Sequence, residues 1–215
     1  MKQVRFFPLQ LEVDRPPPDY LGGIDSKKYC SLFKVPNKGS QALLTGLGMT
    51  LPNKTIVTFD PAVWRQNKTA GLPVTFDAGT PTNLLPNELY FVIGAMYPDS
   101  VAYRHELGFW AFDVPCDAPN GTFDYSFGET MIKVLFQDSL YKYDNGKCIF
   151  GLTLRPPPEV FGNVPFILAD SFMRGAYMVF DTANTEIWIG ENVDCGTNVV
   201  PIGKGMYSSY IPVII

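Results

Sequence analysis

Asp77 lies where an apolar run, Val74-Thr75-Phe76, breaks into the turn Asp77-Ala78-Gly79-Thr80-Pro81. That placement suits an acid held for chemistry. The run before it alternates as a strand, so the carboxylate emerges at a strand end. Gly79 lets backbone approach closely because it has no Cβ. The Thr80 hydroxyl can donate to the carboxylate and hold its rotamer. A carboxylate fixed in this way can take or give a proton in a transition state. An aspartate in a glycine-containing turn is also a common structural device, and it is the context of the preceding strand, Gly79 and Thr80 that favours the chemical reading.

Other chemistries find less support. His105 is the sole histidine, and Tyr103-Arg104-His105-Glu106 reads as a solvated polar stretch. A Ser-His-Asp or Cys-His enzyme would rest on that residue alone. The four cysteines, Cys30, Cys116, Cys148 and Cys195, contain no Cys-x-x-Cys pair, so no metal site is expected. They are compatible with one or two disulfides in an oxidising compartment. Three Asn-x-Thr triplets, at Asn53, Asn67 and Asn120, are glycosylation candidates and point the same way.

The elements that must position Asp77 are mostly strands. The 215 residues are 46% hydrophobic with only 18% charge, enough for a sizeable core. Nineteen Gly, nineteen Pro, 16 Phe and 11 Tyr favour strands and turns over helices. Strand patterns cover 2–11, 31–35, 41–49, 55–59, 74–76, 130–136, 140–143, 147–152, 176–180 and 186–190. Asp144-Asn145-Gly146 and Asp181-Thr182-Ala183-Asn184 read as hairpin turns. One helix is expected after Pro86, with Leu89, Val92, Ile93 and Met96 repeating at helical spacing and Pro98 as its stop. A helical turn at 171–174 would let Arg174 pair with Asp170. Asp14-Arg15-Pro16-Pro17-Pro18-Asp19 and Arg155-Pro156-Pro157-Pro158 read as stiff surface segments. The net charge of −4 and the absence of any Lys/Arg run argue against a nucleic-acid surface. No apolar stretch is long enough to span a bilayer. Met1-Lys2-Gln3-Val4-Arg5 does not open a signal-peptide core.

Four landmarks together resemble the pepsin-like aspartic proteases. Gly22-Gly23-Ile24-Asp25-Ser26-Lys27-Lys28-Tyr29 resembles the segment that opens that family's C-terminal lobe. Asp77-Ala78-Gly79-Thr80 resembles its second catalytic motif. Cys116 and Cys148 match the lobe's disulfide pair in order and spacing. Ile167-Leu168-Ala169-Asp170, followed by Arg174-Gly175-Ala176-Tyr177-Met178-Val179-Phe180-Asp181, resembles the closing segment and its strand. Residues 191–204 resemble, more weakly, the tail of secreted fungal members.

The resemblance implies a mostly β, pepsin-like C-terminal lobe over 1–205, with 206–215 as a tail. It implies hydrolysis of polypeptide substrates by two aspartates that share one proton, without a cofactor. Asp77 would be one of them, Thr80 would orient it, and Gly79 would line the substrate. It implies a Cys116–Cys148 bridge; Cys30 and Cys195 have no family assignment and would pair with each other or with another lobe. The second Asp-[Thr/Ser/Ala]-Gly is not in this chain. In the family it belongs to the N-terminal lobe, the expected partner, without which this lobe would be inert. An extracellular or vacuolar location is expected, although no signal peptide is present in the chain. Three departures weaken the catalytic reading. Ala78 lacks the usual hydroxyl, Pro81 lacks an N–H for substrate, and Ala169 stands where a glycine packs behind the loop. The alternatives are a non-catalytic peptide-binding pseudoenzyme and a self-associating protease in which two copies each supply Asp77.

Overall fold

A computed structural model describes residues 5–7, 23–64, 70–97, 99–104, 110–142, 146–155, 159, 162–182 and 184–201. His105, Asn67, Asp144, Asn145, both triple-proline runs and the 206–215 tail lie outside the described residues. The fold is mostly β, as expected, with short helices at Pro61–Trp64, Asn87–Met96 and Asp170–Met173.

One six-stranded sheet carries Asp77. Its order is Leu152–Thr153, Asn83–Leu84, Phe166–Leu168, Leu72–Phe76, Gln41–Leu44 and Asn37–Lys38. The chain leaves Leu72–Phe76, turns, and re-enters as Asn83–Leu84. The Phe166–Leu168 strand then threads between those two. It runs parallel to the first, with Leu168 opposite Phe76, and antiparallel to the second, with Ile167 opposite Leu84. These strands are apolar because they are covered on both faces. Leu72, Val74, Phe166, Ile167 and Leu168 are all buried.

A four-stranded sheet packs nearby, in the order Thr130–Leu135, Thr122–Phe127, Gly46–Thr50, Ile56–Thr58. The pattern expected one strand over 41–49; the structure has two, broken at Thr45. The Thr45 N–H and hydroxyl both donate to the Ser126 carbonyl, and the Gly128 N–H donates to the Thr45 hydroxyl. This knot turns the chain from one sheet into the other. The strand at 122–127 was not among the expected ones, although its inward Phe123, Tyr125 and Phe127 alternate with Thr122, Asp124 and Ser126. Its charged centre argues against a buried strand. The structure satisfies Asp124 with the hydroxyls of Thr122 and the remote Thr50, at 2.6 and 2.7 Å.

The two expected hairpins form. Leu140–Lys142 pairs with Cys148–Phe150, and Ala176–Asp181 pairs with Glu186–Glu191. In the second turn both Asp181 carboxylate oxygens accept from Asn184. The Asn87–Met96 helix starts after Pro86, but its buried face is shifted from the expected stripe. Leu89, Tyr90 and Ile93 are buried, whereas Val92 is exposed. The shift follows from Phe112, whose ring lies 4.5 Å from that of Tyr90 and leaves no room for a Cβ at Gly94. No described helix is long and apolar enough to cross a membrane.

The Cys116–Cys148 disulfide is formed, joining positions 32 apart in sequence. Cys30 and Cys195 are exposed and free, so their mutual pairing is not realised. The antiparallel bridge from Tyr29 to Asn192 explains why. It sets Cys195 beside Lys27, with Cys30 displaced along the seam in the other direction.

Candidate active site

Asp77 sits at the mouth of the threaded strands. Its N–H donates to the Leu168 carbonyl at 3.1 Å, continuing the parallel ladder by one step. The chain then turns, and Thr80 returns its carbonyl to the Asp170 N–H at 3.1 Å, while Pro81 accepts from Ser171 at 3.3 Å. The 77–81 turn is thus clasped at both ends by the 168–171 segment, and its position is set by backbone.

The carboxylate is fixed within that clasp. One oxygen accepts from the Gly79 N–H and the other from the Thr80 hydroxyl, both at 2.8 Å. The two bonds together fix the orientation of the carboxylate. A Cβ on Gly79 would lie 3.2 Å from Asp77 Oδ1, so glycine keeps the approach open. Asp77 and Thr80 are half-buried, and Ala78 and Gly79 are exposed. The geometry therefore presents an anchored acid to an open face. Behind it, the Phe76 ring packs on Phe172, Phe127 and Phe180, making a firm apolar floor.

Three of the family departures have visible consequences. Ala78 offers no hydroxyl from its exposed position. Pro81 keeps its carbonyl bond to Ser171 and has no N–H to lend. Ala169 is fully buried with an extended backbone, φ −100°, and its N–H donates to Asn83 Oδ1 at 2.7 Å. The methyl is accommodated there.

Asn83 is a site residue that the sequence reading missed. It is buried, and it ties three elements together. Its side-chain oxygen takes the Ala169 N–H, its amide donates to the Tyr125 hydroxyl at 3.1 Å, and its own N–H donates to Gly151 at 2.8 Å. Next to it the Thr82 and Thr153 hydroxyls share a buried hydrogen bond of 3.1 Å. Burial pushes the Tyr125 phenol well above its usual range, keeping it a neutral partner. The available signal was weak: a lone amide directly before the apolar pair Leu84-Leu85, where a buried polar group would need partners.

Asp170 also differs from expectation. Arg174 does not bond to it; the guanidinium donates to the carbonyls of Asp138 and Leu140, at 3.3 and 2.5 Å. Asp170 Oδ1 is buried without a hydrogen-bond partner. Burial pushes the Asp170 acid up to about 6, the nearby Arg174 charge pulls it partly back, and Asp77 adds a further upward push. The raised Asp170 carboxyl thus lies close enough to Asp77 to feel its charge.

An open cleft of about 520 Å³ lies elsewhere, lined by Lys133, Asp138, Arg174 and Glu191 among others. It does not include Asp77. Asn53 and Asn120 are exposed, on the far turns of the four-stranded sheet.

A threaded strand pair that clasps an Asp-x-Gly-Thr turn is the arrangement the sequence landmarks anticipate for one lobe of an aspartic protease. The family described as eukaryotic aspartyl protease matches residues 7–192, and the chain belongs to it. Its relatives include aspartic proteinase yapsin-3 of Saccharomyces cerevisiae, 26% identical over 84% of this chain and 36% of that protein. An acid protease of Saccharomycopsis fibuligera is 28% identical over 55% of this chain and 28% of its own length. Candidapepsin-2 of Candida parapsilosis is 29% identical over 73% of this chain and 35% of its own length. The chain therefore matches about a third of the length of each of these relatives.

Proposed function

We propose that this chain is the C-terminal lobe of an aspartic endopeptidase and supplies Asp77 as one of two catalytic aspartates. The observation that carries the reading is the held carboxylate. Asp77 accepts from Gly79 and Thr80 at the open end of the threaded strands. In this account a second carboxylate comes from an N-terminal lobe, and the two share one proton because like charges so close cannot both ionise. The ionised member takes a proton from water as it attacks the scissile carbonyl. The protonated member hydrogen-bonds the carbonyl oxygen and stabilises the charge that develops there. Gly79 and the backbone beside it line the peptide. An acidic optimum follows, because one carboxyl must stay protonated. Without the partner lobe the chain is inert. The substrate is a polypeptide, and no cofactor takes part. The disulfide supports a place in the secretory pathway, ending outside the cell or in a vacuole.

The test expresses the chain together with the in-frame sequence encoded upstream of Met1 and assays cleavage of an apolar peptide at acidic pH. Cleavage that pepstatin abolishes is the expected result. A second reading, a peptide-binding pseudoenzyme, is favoured by Ala78 and Pro81, which withdraw a hydroxyl and an N–H from the site. It predicts peptide binding with no turnover, and that result would overturn the first reading.

A further inference from the structure

We propose that Asn53 and Asn120 both carry N-linked glycans, and that the pair together covers Ile56 and Leu135, two exposed apolar side chains at one end of the four-stranded sheet. The proposal rests on the secretory placement above and is independent of catalysis.

The register brings the two triplets together. Thr50 pairs with Thr122, and the strand ending at Thr50 runs into the turn that holds Asn53. The strand beginning at Thr122 is preceded by Asn120 and Gly121. Antiparallel pairing therefore places both asparagines off the same end of the sheet. Residues directly opposite in register share one face. The last rung on the outer face is Leu135, Thr122, Thr50 and Ile56. Its two ends are apolar and open: Leu135 is 54% and Ile56 is 70% exposed. The next rung, Lys133, Asp124, Gly48 and Thr58, is polar or bare. Neighbouring strands lie about 4.8 Å apart, so the rung is roughly 14 Å across. The asparagines stand two and three residues beyond it.

Local chemistry presents both amides. The Asn53 side-chain oxygen accepts the Thr55 N–H at 2.9 Å, an Asx turn that turns the triplet outward on an exposed loop. In the other triplet, two of three residues have structural reasons. Gly121 is required because a Cβ would meet the Phe136 ring at 2.3 Å, and the Thr122 hydroxyl serves Asp124. Asn120 serves neither purpose and is exposed. Such triplets are acceptors for bulky, solubilising surface glycans.

In the transfer step, the asparagine Nδ2 attacks the anomeric carbon of a lipid-pyrophosphate-linked oligosaccharide. The new C–N bond forms as the C–O bond to pyrophosphate breaks. The lipid pyrophosphate leaves with that electron pair, and the amide gives up one proton. The co-reactant is that glycolipid, in the lumen of the secretory pathway.

The experiment places the full chain, with Asn67→Gln to silence the third triplet, behind a cleavable leader in a secreting yeast. Peptide mapping of the lumenal product reads each site, and Asn53→Gln and Asn120→Gln should each remove one endoglycosidase-sensitive mobility step. Hydroxyl-radical footprinting of soluble protein then compares Ile56 and Leu135 before and after enzymatic glycan removal. We expect both sites modified and several-fold higher labelling of both side chains after removal. An unmodified asparagine in the lumenal product, or equal labelling with and without glycans, overturns the proposal. Mapping of membrane-retained chain reads site use even where folding fails. Because the leader is supplied and no activity is read, the result is separable from the catalytic reading.

Discussion

Replacing Asp170 by asparagine should change how stability depends on pH. The wild-type carboxyl is held up to about 6, with burial as the main cause and one oxygen lacking any partner. A free aspartate titrates near 3.9. A group whose folded value is raised takes up a proton on folding. Its contribution is therefore fully present below about 3.9 and is lost as pH rises through about 6. The difference of about two pH steps, at 1.36 kcal/mol each, sets a ceiling of roughly 3 kcal/mol. Asp170 is half-buried, so water screens the charge and about 1–2 kcal/mol is the working figure. Asparagine keeps the shape and never ionises. Urea unfolding at pH 4 and pH 7 measures the effect. The wild type should lose about 1–2 kcal/mol more than Asp170→Asn across that interval, so that the variant is the more stable protein at pH 7. Using the difference between the two proteins cancels other titrations, including that of Asp138, also raised by burial. Parallel curves for the two proteins, or a wild type that gains on the variant as pH rises, would refute the reasoning.

Asn83→Ala should cost about 2–4 kcal/mol by urea unfolding, because it strands the buried Ala169 N–H and the Tyr125 hydroxyl together. A loss below about 1 kcal/mol would mean the network is not what holds the clasp. Opening the Cys116–Cys148 bridge by Cys148→Ser should remove about 3–4 kcal/mol in the chain-entropy picture for a loop of this length, read as a lower thermal midpoint. In an assembled enzyme, Thr80→Val should lower kcat by roughly tenfold or more with little change in KM, since the lost bond holds the acid and not the substrate. A change confined to KM would contradict that role.

Much of this fold was readable in the residues. The Asp-x-Gly-Thr turn, the helix after Pro86 and the Asp181–Asn184 hairpin rest on local rules: strand-end turns, proline at a helix start, side chains that close their own turn. The elements misread depend on distant partners. The break at Thr45 exists because the Ser126 carbonyl lies across from it, and nothing within 41–49 announces that. The strand at 122–127 hides its logic in Asp124, which needs Thr50 from another strand. Arg174 was expected to find Asp170 four residues away and instead finds two carbonyls of the 138–140 turn. The site shows the same division. Gly79 and Thr80 act on Asp77 from two and three residues away and were legible. Asn83 acts through a contact with Ala169, far along the chain, and was not.

The central claim is that Asp77 is a catalytic acid, and the most direct test is Asp77→Asn in the protein carrying both lobes. Asparagine preserves shape: its one oxygen can accept from the Gly79 N–H while its NH2 donates to a rotated Thr80 hydroxyl, but it cannot exchange the proton. Pepstatin-sensitive cleavage of an apolar peptide at acidic pH should fall by at least about a thousandfold, with unfolding behaviour unchanged. Cleavage that persists at the wild-type rate in a folded Asp77→Asn protein would contradict the account.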